Sequence, residues 1–97
     1  MAVNISISPK IREKLLNKHD VDENEVEECF LNMDGGLLAD NREEHKTTPP
    51  TRWFISETNA GRRLKIVFIE GILGAYQIKT AYEPNENEEK IYEKYAK

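Results

Sequence analysis

The residues of this chain that could do chemistry are mainly basic, and they lie in or just before a stretch of predicted strands. The set is His45, Lys46, Arg52, Glu57, Arg63, Lys65, Lys79 and Tyr82. Cleavage of RNA without a metal ion needs groups that move protons and cations that stabilise the charge developing on the phosphate. Histidine suits proton transfer at neutral pH, and arginine and lysine suit the charge. We therefore predict that RNA lies over these cations, with His45 carrying the proton and Lys46 beside it. The competing interpretation is that Lys65 and Lys79 only solvate an exposed strand face and that His45 is a loop residue.

Three segments rich in β-branched and aromatic residues follow one another here, separated by two turn sequences that contain glycine, and this pattern is typical of an antiparallel meander. The predicted strands are Trp53–Glu57, Leu64–Ile69 and Tyr76–Ala81, with 37–40 as a fourth. If Trp53 and Ile55 share the side of Leu64, Ile66 and Phe68, the opposite side carries the four cations Arg52, Arg63, Lys65 and Lys79. That parity predicts a sheet packed on one face and open and basic on the other.

The rest of the chain predicts helices around this sheet. Ser8-Pro9 is typical of a helix start, and residues 9–18 are amphipathic. Asp22 and Glu25 have the spacing of a capping box, with Val21 and Val26 as its hydrophobic staple, and Asp34-Gly35-Gly36 is expected to end this second helix. Asn85 and Glu88 repeat the capping-box spacing before a third helix over 86–96. The fold class is therefore α+β, a single domain over 1–97 with two N-terminal helices, an antiparallel three- to four-stranded sheet and a C-terminal helix. We expect Leu15, Val26 and Phe30 to pack on the Leu64/Ile66/Phe68 face.

Composition limits the classes of function. The net charge of −4 over 97 residues is unusual for a dedicated nucleic-acid binder, although the acidic residues are concentrated away from the strands. One cysteine, Cys29, cannot form an internal disulfide, and it is expected to be a packing residue rather than a nucleophile. The sequence has no signal-peptide or membrane-spanning run, so we expect a cytoplasmic protein without a membrane partner. No metal-ligand spacing or cofactor motif is present, so neither a metal nor a cofactor is expected.

Both ends of the chain resemble BrnT-type toxins, which are small ribonucleases of type II toxin–antitoxin systems with a RelE-like fold. Residues 17–21 (NKHDV) and the acidic helix after them are similar to the opening of that family. Residues 78–82 (IKTAY), followed by Glu88, Glu89 and Tyr92, are similar to its ending. Asp20 stands where the family has glycine, and Tyr82 stands where it has an arginine. The resemblance therefore implies a role for Tyr82 as a proton donor, or for Lys79 as the replacement cation.

The run TPPTRWFI at residues 48–55 also resembles short bacterial proteins labelled ADP-ribosyl-(dinitrogen reductase) hydrolase. True ADP-ribosylglycohydrolases are much larger and use acidic clusters around metal ions, and this sequence shows nothing comparable.

Two hypotheses from different classes stand at this point. The first is a metal-independent ribonuclease toxin, with catalytic residues His45, Lys79 and Tyr82, held in check by an antitoxin-like partner in a joint oligomer. The second is a non-enzymatic, toxin-like module that binds another protein. An acidic or amphipathic partner segment is expected across the open sheet face or along a strand edge, because Val67, Ile69 and Phe54 would lie among the cations there.

Overall fold

A computed structural model of the chain describes residues 4–39, 51–71 and 74–97. Its three helices and five strands give an α+β fold over these ranges. In chain order they are β1 (Ile5–Ser6), α1 (Pro9–His19), α2 (Glu23–Leu31), β2 (Leu38–Ala39), β3 (Thr51–Glu57), β4 (Arg63–Glu70), β5 (Tyr76–Tyr82) and α3 (Glu86–Ala96). None of the helices in these ranges is long and apolar enough to cross a membrane.

Over the described residues, the sheet is mixed and has five strands in the order β1-β5-β4-β3-β2. The predicted antiparallel meander forms β3, β4 and β5, and β2 pairs antiparallel with β3 through Leu38 and Ala39. The predicted α+β layout is confirmed, and the sheet has one strand more than the antiparallel strands predicted, because β1 adds in parallel beside β5. The Tyr76 amide donates to the Asn4 carbonyl at 2.8 Å there. The chain can reach this parallel position because the connection from β1 to β5 is long and contains α1, α2, β2, β3 and β4.

The helix starts are confirmed by their caps. The Ser8 hydroxyl accepts from the Ile11 amide, and both capping boxes form, Asp22 with Glu25 and Asn85 with Glu88. These side chains satisfy backbone amides that have no partner within the helix. The three helices therefore begin where the local sequence sets them.

The end of α2 differs from the prediction. The helix stops at Leu31, before Asp34-Gly35-Gly36, and neither of these glycines has a positive φ. The Asn32 side chain explains the earlier stop, because its amide donates to the Glu57 carbonyl and to the Asn59 side chain, both at 2.9 Å. Gly35 is needed for a different reason, since a Cβ there would lie 2.6 Å from the Tyr92 hydroxyl oxygen.

The core between the sheet and the first two helices is as predicted. Leu64, Ile66 and Phe68 are fully buried, and so are Leu15 and Val26 of the helices. Phe30 of α2 packs its ring edge-on against Phe54 and Phe68, with centroids 4.8 and 5.5 Å away. Aromatic pairs in this arrangement add to the stabilisation from burial.

The predicted parity of β3 was wrong. Phe54 lies opposite Ile66, so Phe54 belongs to the core under α1 and α2, whereas Trp53 and Ile55 lie opposite Val67 and Lys65 on the other face. Arg52 lies opposite Phe68 and is therefore on the α1/α2 side. β3 is buried at four consecutive positions, 53–56, because helices pack on both faces of the sheet there, and a strand covered on both faces loses the alternation that fixes parity.

Phe68→Ala should destabilise the fold by about 3–5 kcal/mol, since it removes a fully buried ring and leaves a cavity. Urea unfolding monitored by circular dichroism measures this loss. Ile69→Ala, at the next position but only half-buried, serves as the matched control and should cost clearly less. Equal losses for the two variants would contradict the assignment of the core face.

Candidate functional site

The basic residues predicted to bind RNA begin with Lys65, which lies in the interior of the sheet face under α3. Its side chain is only 8% exposed. The Lys65 Nζ donates to Glu88 Oε2 at 2.7 Å and lies 4.5 Å from the centre of the Trp53 ring. A lysine so enclosed by a carboxylate and an aromatic face has no exposed charge to offer a phosphate.

Glu88 is the partner on which this arrangement depends, because its two oxygens serve two elements. Oε1 accepts from the Asn85 amide at 3.0 Å and completes the cap of α3, while Oε2 accepts from both Lys65 and the Tyr82 hydroxyl. Burial alone would raise the pKa of Glu88. The hydrogen bonds from Lys65, the Asn85 amide and Tyr82 outweigh this effect, and the pKa lies below its ordinary value. Glu88 is therefore ionised near neutral pH and positions α3 against the sheet.

Tyr82, predicted as a proton donor, donates a hydrogen bond to the Glu88 carboxylate. The hydroxyl donates to Glu88 Oε2 at 2.8 Å, and the ring lies 5.6 Å from that of His19 at the end of α1. Burial, followed by the hydrogen bond to Glu88, raises the pKa of Tyr82 above its ordinary value. A phenol with a raised pKa that is already bonded to a carboxylate is held as a structural donor.

Arg63 is also paired with the chain's own carboxylates. Its Nε and Nη2 each donate to one oxygen of Glu89 at 2.8 Å, the two-pronged geometry that arginine forms best, and Nη1 donates to Glu57 at 3.3 Å. The hydrogen bonds to Glu89 raise the pKa of Arg63 above its ordinary value. Arg63 therefore fixes the first turn of α3 to the start of β4. Lys65 makes the corresponding contact with α3 two residues further along β4.

Sequence reasoning missed Arg62, a residue of the β3–β4 turn whose side chain contacts α1, α2 and the segment after β5. It donates to the carbonyls of His19 and Asp20 at the end of α1, to both oxygens of Glu25 in the capping box of α2, and to Glu83 after β5. Burial opposes the charge, but the hydrogen bonds to Glu25 and Glu83 leave the pKa of Arg62 raised. A turn arginine gives no sequence signal for such contacts, because its partners lie more than twenty residues away.

The remaining predicted site residues lie elsewhere. Arg52 is exposed on the α1/α2 side of the sheet, and Lys79 is exposed at a β-bulge where β5 shifts register against β4. His45 and Lys46 lie outside the described residues. The structure therefore brings Arg63, Lys65 and Tyr82 together under α3, and it does not join Arg52 or Lys79 to them.

The charge balance at this end of the sheet is acidic. The cations Arg62, Arg63 and Lys65 contact five carboxylates, those of Glu25, Glu57, Glu83, Glu88 and Glu89. The expected open basic face is therefore wrong for this part of the sheet, because α3 lies over it and supplies two of the five carboxylates. The sequence could not show this, because the wrong parity of β3 put Trp53 and Ile55 on the face under α1 and α2 and not on the face under α3.

Cys29 is fully buried, and burial with the nearby charges of Glu25 and Glu28 raises the pKa of its thiol to about 12, so it is unreactive as a nucleophile.

A polar pocket of about 500 Å³ lies beside Ser56 and Asn32. Its lining is largely tied together by the bonds of Asn32 to Glu57 and Asn59. Within ranges 4–39, 51–71 and 74–97, no three histidine, cysteine or acidic side chains are grouped to hold a metal ion.

Comparison with protein-family models, with curated proteins and with solved structures gives no match to this chain. The geometry described above therefore carries the functional argument.

Glu88→Gln should destabilise the protein by about 3–5 kcal/mol near pH 7, because it leaves Lys65 buried without a counter-charge. Glutamine at this position still supports the capping box, so the change isolates the ion pair from the cap. Glu86→Gln, an exposed change in the same helical turn, is the control and should be nearly neutral. Equal effects in chemical unfolding would contradict the structural role of Glu88.

The difference in stability between wild type and Glu88→Gln should also depend on pH. The folded-state pKa of Glu88 is lowered from its ordinary 4.5, so the stabilisation is present above that value and disappears as the pH falls through the folded-state pKa. The difference in unfolding free energy between wild type and Glu88→Gln should be constant above about pH 5.5 and shrink at lower pH. A difference that grows on acidification would refute this assignment.

Proposed function

We propose that this chain is a non-enzymatic, toxin-like module that acts in the cytoplasm by binding another protein. The observation that carries the proposal is the pairing of Arg63 and Lys65 with Glu89 and Glu88 beneath α3. Binding of RNA draws much of its free energy from cations that neutralise phosphates, and these cations are already neutralised. Freeing Lys65 would require breaking a buried ion pair, which is unfavourable.

The surfaces that remain favour a protein partner. α1 and α2 cover one face of the sheet, and α3 covers the Trp53/Lys65 part of the other. Over the described residues the edge strands β1 and β2 are further surfaces that a partner can reach. Large apolar side chains are also exposed on the helices and beside β2. They are Leu16, Leu31, Leu37, Ile91 and Tyr95. Strand addition at an edge together with exposed apolar contacts is a common mode of protein recognition.

The partner we propose is an antitoxin-like protein encoded beside this chain. A cytoplasmic complex also fits the single cysteine, since Cys29 is free and buried and the chain has no second cysteine with which to form an internal disulfide.

The experiment is expression of the chain alone and together with the product of the adjacent reading frame. We expect growth to be unaffected by the chain alone, the two proteins to co-purify as a defined complex, and single-stranded RNA to show no mobility shift at physiological salt. A folded chain that does not associate with the neighbouring product, or that shifts RNA as a free protein, would contradict the proposal.

A ribonuclease toxin is the second candidate, and exposed Lys79 favours it. Lys79 lies at a β-bulge of β5, and bulges often re-aim a side chain beside an active site. Arg52 is exposed on β3, and β4 lies between β3 and β5. Asp20 adds support for the resemblance to BrnT-type toxins, since it adopts φ 52° and ψ 45° where that family has glycine, the residue this conformation favours. On this proposal Lys79 stabilises the developing phosphate charge and Arg52 binds the RNA backbone.

If the second candidate holds, purified protein should cleave single-stranded RNA in the presence of a chelator at low salt. Lys79→Ala should reduce the rate by roughly 10²-fold, as loss of one stabilising charge does elsewhere. Lys10→Ala, an exposed change on α1, is the control and should cleave normally. Growth arrest by the chain alone, relieved by the neighbouring product, would support this candidate over the first. Equal cleavage by all three proteins would exclude Lys79.

A further inference from the structure

An apolar groove of about 480 Å³ lies beside the edge strand β2. It is lined by Leu38, Ala39, Trp53, Ile91 and Tyr95, and we call it the edge groove. Ile91 and Tyr95 are one helical turn apart on α3, and they are 36% and 65% exposed. Tyr95 in particular presents an aromatic side chain to solvent beside an open strand, as residues that contact a partner do.

Two parts of the sheet edge lie next to this groove, and they differ: β2 has no strand on its outer side over the described residues, whereas side chains cover polar groups beside it. β2 is the last strand of the sheet and pairs only with β3 over the described residues. Further along, the Asn32 amide donates to the Glu57 carbonyl of β3 at 2.9 Å, and the Tyr92 hydroxyl donates to the Gly36 carbonyl, just before β2, at 2.7 Å. Side chains thus occupy polar backbone groups next to β2, whereas the outer side of β2 has no strand beside it within the part of the chain that the structure describes.

Cations flank this opening on both sides of the sheet. Arg52 is exposed, lies in register with Ala39, and faces the side opposite the groove. Because the Ala39 side chain is a single methyl group, the Arg52 guanidinium can reach across it to a strand added outside β2. On the groove side, the Lys94 Nζ lies 5.2 Å from the centre of the Tyr95 ring. Lys97 also lies on this side and is ion-paired with Asp34 at 3.7 Å and with Glu93 at 4.0 Å, so Lys94 and Arg52 are the cations offered to a partner here.

We propose that the β2 edge binds an extended segment of the partner in which apolar and acidic residues alternate. Successive side chains of a strand point to opposite faces, so apolar residues enter the edge groove while acidic residues face Arg52. A second copy of this chain fits the site less well. The Ala96 carbonyl accepts from the Gly36 amide, which places the C-terminal end of α3 at this edge, so two copies would bring Lys94 and Lys97 towards their counterparts. This inference rests on the proposed protein-binding function and assigns its surface.

The test uses a fluorescein-labelled ten-residue peptide that alternates leucine and glutamate, with binding followed by fluorescence anisotropy. Two control peptides keep the length: one has the same composition in leucine and glutamate blocks, and one replaces glutamate by lysine. We expect the alternating acidic peptide to bind best and its affinity to fall with salt, because cations on the rim contribute.

Variants of the full chain assign the contacts. Tyr95→Ser and Arg52→Glu should each weaken binding by about tenfold, the equivalent of roughly 1.4 kcal/mol, and both positions are exposed enough to leave the fold intact. Leu16→Ser and Lys10→Glu, equally simple changes on α1, should bind as wild type. Arg52→Glu should also gain affinity for the lysine peptide, which a merely destabilised protein would not do.

The outcomes separate this inference from the proposed function. If the neighbouring product co-purifies equally well with wild type, Tyr95→Ser and Arg52→Glu, the protein-binding function stands and the edge assignment is overturned. If neither that product nor the peptide binds, both are overturned. Sedimentation showing a dimer of the chain alone that Tyr95→Ser abolishes would overturn the acidic-segment assignment and identify a second copy as the occupant.

Discussion

A buried lysine opposite one carboxylate constrains most of this structure. Lys65 lies on a central strand, and taking its charge out of water is unfavourable unless a counter-charge is within hydrogen-bond distance. Glu88 supplies it at 2.7 Å and uses its other oxygen to cap α3. The same carboxylate therefore decides where α3 begins and how it lies on the sheet. Because α3 then buries Tyr92 against Trp53, the part of the hydrophobic core beneath α3 depends on this polar contact.

Arg62 extends the same principle to the other helices. Three of the four residues 62–65, where β4 begins, are cations. Arg63 and Lys65 are held by carboxylates of α3, and Arg62 is held by carbonyls of α1 and by carboxylates of α2 and of the segment after β5. The acidic residues of α2 and α3 are therefore partners for the chain's own cations. This gives a structural reason for an acidic protein with a basic central strand.

The sequence was sufficient for features whose causes are local. Asp22 with Glu25 and Asn85 with Glu88 set two helix starts, and the turn glycines separate the three long strands. Strand parity failed because residues 53–56 are buried at every position, so no alternation marks which face Trp53 occupies. The pairing of Lys65 with Glu88 was not foreseen, since the two are 23 residues apart and no sequence pattern indicated that α3 lies over Lys65. Arg62 could not be found at all, because its partners lie in three separate segments, at the end of α1, in α2 and after β5.

Side chains can take the place of a neighbouring strand at the edge of a small sheet. Asn32 does so for the Glu57 carbonyl of β3 at 2.9 Å. The Tyr92 hydroxyl acts similarly at the Gly36 carbonyl, just before β2, and Gly35 has no side chain so that this hydroxyl fits. An edge whose polar groups are satisfied by side chains does not attract another strand. Over the described residues β2 lacks such protection and lies beside exposed Tyr95, and this contrast is the physical basis for proposing that a partner strand adds there.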